Sequence, residues 1–273
     1  MNITRELLLK MIDECEAIVI GAGAGLSNAS GFEYGGKAFL DNFRYMHEEY
    51  GYKDMYSAGF HHFDTLEEKW GYWAKMIYLN RYKSNAKPLY RKLLEIVKDK
   101  NYFVITTNVD HQFQLSGFDK NRLFYMQGDY GLFQCSKPCH NKTYDNKDII
   151  YEMINNIEEG KIPSTLIPKC PICGKPMETN LRCDDKFVED EGWHKAKNRY
   201  IDLITKNKDK KILYLELGVG YSTPIWIKYP FMKLTMNNPQ AKYICIDNGY
   251  INIPKEMANQ AYVFNGDINN IIY

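Results

Sequence analysis

Hydrophobic positions along the chain repeat with two periods. Residues 3 to 15 place Ile3, Leu7, Leu8, Met11 and Ile12 at helical spacing. "AIVIGAGAG" follows as a continuous apolar run entering a glycine-rich turn, which predicts a strand buried on both faces. From 38 to 95 aromatic and charged residues are dense, and Phe39, Phe43, Tyr45, Tyr50, Trp70, Trp73, Tyr78 and Tyr82 fall mostly at helical spacing. Pro88 opens one helix whose core face is Leu89, Leu93, Leu94 and Val97. "YFVITTN" then reads as a second buried parallel strand.

Between about Gln134 and Arg182 the apolar runs shorten, and Cys, Pro, Lys and Asn become frequent. "DIIYEMINNIEEG" is a short amphipathic helix within this stretch. Beyond it, "KILYLELGVG" and "KYICIDNG" predict two more buried strands, and "AYVFNGDINNII" a final strand and turn. Strand, glycine turn and helix alternate on both sides of the cysteine-rich stretch. The fold class is therefore α/β, a Rossmann-like doubly wound parallel sheet with an insertion. The expected domains are 1–133 with 184–273, carrying a helical, aromatic-rich insertion over about 38–95, and a small module over 134–183.

Composition narrows the function. The 273 residues are 45% hydrophobic and 25% charged, as in an ordinary globular protein. A net charge of +1 gives no basis for nucleic-acid binding driven by phosphate neutralisation. No apolar run approaches the roughly 20 residues needed to span a bilayer, so no membrane partner is expected. The first 20 residues do not read as a signal peptide, and seven cysteines, an odd number, point to a reducing compartment. A cytoplasmic location is expected.

In "GAGAGLSNASG", Gly21, Gly23 and Gly25 follow a strand directly, where glycine permits a tight turn and close backbone approach to a pyrophosphate. Leu26 stands where a strict GxGxxG would have its third glycine, so alone the motif is weak and also fits a plain strand-to-helix connection. "GVG" at 218 to 220 and "IDNG" at 246 to 249 lie at other strand ends, the edge where open α/β sheets bind ligands. Asp247 ends its strand as a ribose-binding acid does, but not about 20 residues after the first turn, which disfavours a plain oxidoreductase.

Cys135 and Cys139 form C-x3-C, and Cys170 and Cys173 form C-x2-C in "KCPICGKPM". Two such pairs predict a tetrahedral, closed and therefore structural zinc site. His140, beside Cys139, is the alternative ligand; Cys15 and Cys245 are read as core, and Cys183 lacks metal spacing.

In this order the segments resemble the sirtuin family. "GAGAGLSNASGF" is similar to its opening GAGxSxxSGI segment, "TTNVDHQF" to its TQNID-x-LH segment, and "LELGVGYSTP" to its G-T-S segment. The cysteine quartet falls where its zinc ribbon does, and "NGD" resembles its final Gly-Asp. The resemblance runs from about residue 14 to 270. It implies NAD as co-substrate, with Asn108 and Asp110 near the nicotinamide and its ribose. The other cofactor contacts it implies are Gly21, Ala22, Gly23, Ala24, Ser27, Phe32, Gln127, Gly218, Gly220, Ser222, Asp247, Asn248, Gly266, Asp267 and Ile268. Asn28 also lines that loop, whereas His111 is read as a surface or packing histidine.

The departures from the family decide the chemistry. "EYGGKAF" replaces its proline-aspartate-phenylalanine-arginine loop, and "DDKFVED" its peptide-receiving strand. Its catalytic histidine before glycine is Gln127 before Gly128 in "MQGDYG". Glutamine can orient a hydroxyl but cannot deprotonate it near neutral pH, and losing a general base costs roughly 10²- to 10⁴-fold. A carboxylate acceptor needs no such base. These same segments, with "CSKPCHNKTYDN", resemble the macrodomain-linked microbial sirtuins of class M. That resemblance implies protein mono-ADP-ribosylation, a lipoylated carrier similar to the glycine-cleavage H protein as target, and a macrodomain hydrolase as functional partner. Catalysis is expected from Asn108, Asp110 and Gln127, with Arg182 and Asp184 on the acceptor side or in a solvated loop. The alternatives are a lysine deacylase with an altered base and a non-catalytic NAD or ADP-ribose sensor.

Overall fold

Nine strands in two sheets organise the computed structural model, which describes residues 1–273. They are β1 (Ala17–Ala22), β2 (Tyr102–Thr106), β3 (Leu123–Tyr125), β4 (Gly128–Cys135), β5 (Tyr144–Asp145), β6 (Met177–Leu181), β7 (Ile212–Leu217), β8 (Lys242–Asp247) and β9 (Ala261–Asn265). Six pair in parallel in the order β3-β2-β1-β7-β8-β9. The other three form an antiparallel sheet, β5-β4-β6. The chain builds outward from β1 to β3 and later resumes on the opposite side of β1 with β7. The reversal of direction between β1 and β7 is a topological switch point, where such sheets bind their ligands.

Two compact units share the chain. The first comprises 1–31, 86–127 and 189–273 and holds the parallel sheet. Its strands are apolar throughout because both faces are covered, and alternate residues serve alternate cores. Ile18, Ile20, Val104, Leu215 and Ile244 pack with Leu8, Met11 and Ile12 of the helix Arg5–Glu14 and with Leu89, Leu93 and Val97 of the helix Pro88–Val97. Val19, Ile105, Tyr214 and Tyr243 pack on the other face with Ala196 of the helix Glu191–Lys206 and with Phe231 and Met232 of the helix Lys228–Met236. Each such aliphatic side chain contributes about 1.5–3 kcal/mol of burial. Thr4 caps the first helix by accepting from the Leu7 N–H at 3.3 Å, and Pro88 opens the second at a position where no donor is needed.

The second unit comprises 32–85 and 128–188. Its helix Leu66–Ile77 presents Trp70 edge-on to Phe133 of β4, with ring centroids 4.8 Å apart. A Cβ on Gly71 would lie 1.9 Å from the Gly160 carbonyl oxygen, so this helix face admits only glycine there. Residues Tyr78–Tyr82 form a π-helical turn, and within it Arg81 reaches the buried Asp129 carboxylate at 3.1 Å. The aromatic-rich segment thus divides. Residues up to Asn85 group with the cysteine-bearing sheet through contacts such as Trp70 on Phe133, while the helix Pro88–Val97 belongs to the parallel sheet. The unit boundaries fall at 127/128 and 188/189 rather than at 133/134 and 183/184, because β4 pairs with β6 along its length. No helix is long and apolar enough to cross a membrane.

Candidate active site

The candidate site gathers where the parallel strands end. β1 leaves the sheet at Ala22, and Gly23 caps the short helix Ala24–Ala29. The loop after β7 lies directly against this turn. A Cβ on Gly23 would sit 2.6 Å from the Gly218 carbonyl oxygen, one on Gly25 2.6 Å from Gly218 Cα, and one on Gly218 2.4 Å from Leu26 N. Gly218 also has φ +61°, a left-handed conformation that favours glycine. The three glycines therefore serve a backbone-to-backbone contact at the switch point. Gly21 has a different reason: its missing Cβ makes room for Ile227 and Phe231 under the sheet.

The donors of the turn are mostly committed inside the protein. Gly23 N–H donates to Leu217 O at 3.1 Å, Gly25 N–H to Gly218 O at 2.9 Å and Leu26 N–H to Gly23 O at 3.0 Å. The expected row of free amides for a pyrophosphate is thus reduced, and Ala24 is the exposed residue of the turn. Asn28 is exposed as well.

Under the turn lies a closed polar group. Asn108 follows β2 by two residues, and its side-chain nitrogen donates to Gly23 O at 2.9 Å and to the Tyr90 hydroxyl at 3.4 Å. Tyr90 and Ser27 hydroxyls are 3.1 Å apart, and Ser27 donates to Asp110 Oδ2 at 2.5 Å. Asp110 Oδ1 accepts the Gln112 N–H at 3.0 Å. Tyr90, Ser27 and Asp110 are buried, whereas Asn108 is half-buried. Burial raises the Tyr90 phenol well above its ordinary pKa, and the nearby Asp110 charge adds to the effect. Ser27 therefore sits beneath the loop and supports Asp110. Tyr90 escaped the sequence reading, although its spacing with Leu93 and Val97 puts a hydroxyl on a core face, where a polar group needs a partner. His111 has left-handed backbone, φ 64°, and begins the short helix Gln112–Leu115.

Gln127 lies in the turn that follows the adjacent strand, β3. Thr106 of β2 is in register with Tyr125 of β3, and Met126 N–H donates to Thr106 O at 3.1 Å, so Asn108 and Gln127 each stand two residues beyond paired positions. Gln127 is half-buried. Gly128 begins β4 with φ +92°, and a Cβ there would lie 1.8 Å from Asn180 O. The glycine after Gln127 is therefore fixed by both conformation and space.

The remaining expected contacts also lie on strand ends. Gly220 and Ser222 are exposed in the loop after β7, and a Cβ on Gly220 would meet nothing within 4 Å. Asp247 closes a turn by accepting the Gly249 N–H at 2.6 Å, with Asn248 exposed between them. Gly266 N–H donates to Asp247 O at 3.0 Å, Asp267 accepts the Asn269 N–H at 2.9 Å, and Ile268 is buried. Phe32 belongs to the second unit and is buried there; Arg182 in the same unit lies over the Phe187 ring at 4.2 Å, and Asp184 Oδ1 accepts the Lys186 N–H at 2.9 Å.

A second feature that sequence reading missed braces the 218–227 loop. Glu216 near the end of β7 accepts from Lys228 Nζ at the start of the next helix, from Tyr243 OH at 2.6 Å and from Cys245 Sγ at 3.4 Å. The exposures of Lys228 and Glu216 are 1% and 0%. Burial raises the Glu216 pKa while the Lys228 charge and the donors oppose it; burial lowers that of Lys228, but the carboxylate reverses this to a net rise. The three donors hold a carboxylate, and the acid in "LYLEL" was the signal that an apolar strand carried a buried partner.

In the second unit the four Sγ atoms of Cys135, Cys139, Cys170 and Cys173 lie within 4.8 Å of one another. Cys135 and Cys173 are 3.5 Å apart and Cys139 and Cys170 3.7 Å. Four sulfurs at about 2.3 Å from a central ion are about 3.8 Å apart in a tetrahedron, so the set is compatible with zinc. His140 Nδ1 is 3.0 Å from Cys139 Sγ and its Nε2 2.8 Å from Tyr144 OH, which makes it a neighbour of the thiolate rather than a fifth ligand. Cys245 is buried, Cys15 half-buried and Cys183 exposed.

No protein-family model matches the chain. The fold is that of sirtuins: Sir2Tm bound to a propionylated peptide aligns with TM-score 0.62 and 19% identity over 99% of this chain and 96% of that one. A Sir2 structure with p53 peptide and NAD+ aligns with TM-score 0.58 and 18% identity, covering 99% and 96%. A protein ADP-ribosyltransferase of Staphylococcus aureus (strain Mu50 / ATCC 700699) is 38% identical over 268 residues, covering 98% of this chain and 85% of that protein. The chain belongs to the sirtuin-type protein ADP-ribosyltransferases. A probable bifunctional ADP-ribose hydrolase/ADP-ribosyltransferase of Fusarium oxysporum f. sp. cubense is 28% identical over 246 residues, 85% of this chain. This transferase chain spans 40% of that longer protein.

Proposed function

We propose that this sirtuin-type enzyme transfers a single ADP-ribosyl group from NAD to a lipoylated carrier protein similar to the glycine-cleavage H protein. The observation that carries the chemistry is Gln127, a side chain that cannot take a proton near neutral pH, two residues beyond β3 as Asn108 is two residues beyond β2. Bound NAD supplies a ribosyl carbon with a good leaving group: the bond to the pyridinium nitrogen breaks, and nicotinamide departs with the electron pair. An acceptor carboxylate forms the new bond to that carbon, and no proton has to be removed. Asn108 and Asp110 hold the ribose end, and Gln127 orients a hydroxyl or the acceptor by hydrogen bonding. Ala24 and Gly220 leave room for the cofactor, with Ala22, Gly23, Gly218, Ser222, Asp247, Asn248, Gly266, Asp267 and Ile268 around it on the strand ends. Gly21 and Ser27 act behind these residues. The four cysteines hold zinc as a structural ion, and a macrodomain hydrolase is the partner that reverses the modification.

The Fusarium relative is named a probable bifunctional ADP-ribose hydrolase/ADP-ribosyltransferase, so both activities are named together in that one protein. The test is incubation with labelled NAD and lipoylated or unlipoylated carrier, followed by mass spectrometry. One added ADP-ribose on an acidic side chain of the lipoylated form is expected. Turnover of acyl-lysine peptides without label transfer would establish a deacylase instead, and NAD binding without nicotinamide release a sensor.

A further inference from the structure

We propose that Tyr90 is a positioning residue that fixes the Asn108 amide with its oxygen, not its nitrogen, as the group offered to the ribose. This rests on the transferase reading above and adds a direction to its hydrogen bonds.

The direction follows from which groups can donate. Gly23 O is a carbonyl and only accepts, so the Asn108 atom 2.9 Å from it is the amide nitrogen. Asp110 is the acceptor of the 2.5 Å contact with Ser27, so the single Ser27 proton is committed there. The Tyr90 hydroxyl, 3.1 Å from Ser27 Oγ, must then donate to it. Its own oxygen accepts the second Asn108 N–H at 3.4 Å. The chain runs one way, from Asn108 through Tyr90 and Ser27 to the carboxylate. Both Asn108 N–H groups are used, and Oδ1 is the atom left to act. An amide oxygen accepts from ribose hydroxyls and places negative partial charge near a carbon that becomes electron-poor as nicotinamide leaves. A reversed amide would do the opposite. Tyr90 holds its proton because its hydroxyl is buried, so the direction does not change over working pH. Its ring is fixed independently, edge-on to Phe113 with centroids 4.9 Å apart.

Tyr90→Phe removes the hydroxyl and leaves the ring. Two measurements test the proposal. In the first, the two side-chain amide proton resonances of Asn108 are followed by NMR; Tyr90→Phe should move one of them and leave the one bonded to Gly23 O in place. In the second, nicotinamide release is measured with NAD and the lipoylated carrier. Tyr90→Phe should lower kcat about tenfold, the scale of one oriented hydrogen bond, with KM for NAD within twofold. Combined with Asn108→Ala it should cause no further loss, because it acts through Asn108. Unchanged amide resonances, an unchanged kcat, or a full additional loss in the double variant would each overturn the proposal. If Tyr90→Phe moves that amide resonance while the wild-type protein transfers no label, the transferase reading is overturned and the positioning of Asn108 stands.

Discussion

Replacing Lys228 by methionine keeps most of the side-chain volume and removes one charge from the core. Glu216, fully buried, would retain Tyr243 at 2.6 Å and Cys245 at 3.4 Å as donors but lose its cation. Breaking a buried pair on one side costs about 3–5 kcal/mol, because the stranded charge is worse than none. In a chain of this size that corresponds to a fall in Tm of roughly 6–20 °C. The effect depends on pH in a defined direction. Glu216 already has a raised pKa through burial, and loss of Lys228 raises it further. The folded variant then binds a proton that the unfolded chain, with a carboxylate pKa of about 4.3, releases. Its stability is fully present below the unfolded value and is lost as pH rises through the folded value. The defect should therefore be smaller at pH 5 than at pH 8, by up to about 1.4 kcal/mol per unit within that window. Thermal unfolding followed by circular dichroism at both pH values reads this, together with the double variant Glu216→Gln, Lys228→Met. The double variant should recover most of the loss. A Lys228→Met protein within about 2 °C of wild type, or a double variant no better than the single one, would refute the ion-pair argument.

Three further outcomes are expected. Asn108→Ala should keep its fold by circular dichroism and lose about 10²- to 10³-fold in nicotinamide release, the cost of removing one preorganised polar group from a reacting centre. Gly218→Ala forces a Cβ to 2.4 Å from Leu26 N at φ +61°, and urea unfolding should show a loss of at least about 2 kcal/mol. Cys170→Ser, or treatment with a chelator, should lower bound zinc measured by atomic emission and loosen the β5-β4-β6 sheet to protease.

The sequence made the strand ends legible because glycine, asparagine and aspartate must stand where buried parallel strands stop. Gly23, Asn108 and Asp247 were readable for that reason, and the cysteine quartet by its C-x3-C and C-x2-C spacing. Gly21 and Gly25 looked alike as cofactor glycines, yet one makes space for Phe231 and the other for Gly218, a distinction that needs the packing of distant segments. Tyr90 and the Glu216–Lys228 pair were hidden because the partners of Tyr90 lie 18 and 63 residues away along the chain and the members of the pair 12 residues apart, outside any local period. The compact units part at 127/128 and 188/189 because β4 follows Gln127 directly and pairs with β6 some 50 residues later.

The turn at Gly23 has one more consequence. The amides of Gly23, Gly25 and Leu26 donate to Leu217, Gly218 and Gly23, and no helix of useful length stands behind the turn. A dinucleotide seated there would be held by shape and by uncharged contacts on several strand ends, with little help from a concentrated positive potential. Its affinity should accordingly vary little with ionic strength, unlike that of a phosphate loop built on lysine and a long helix.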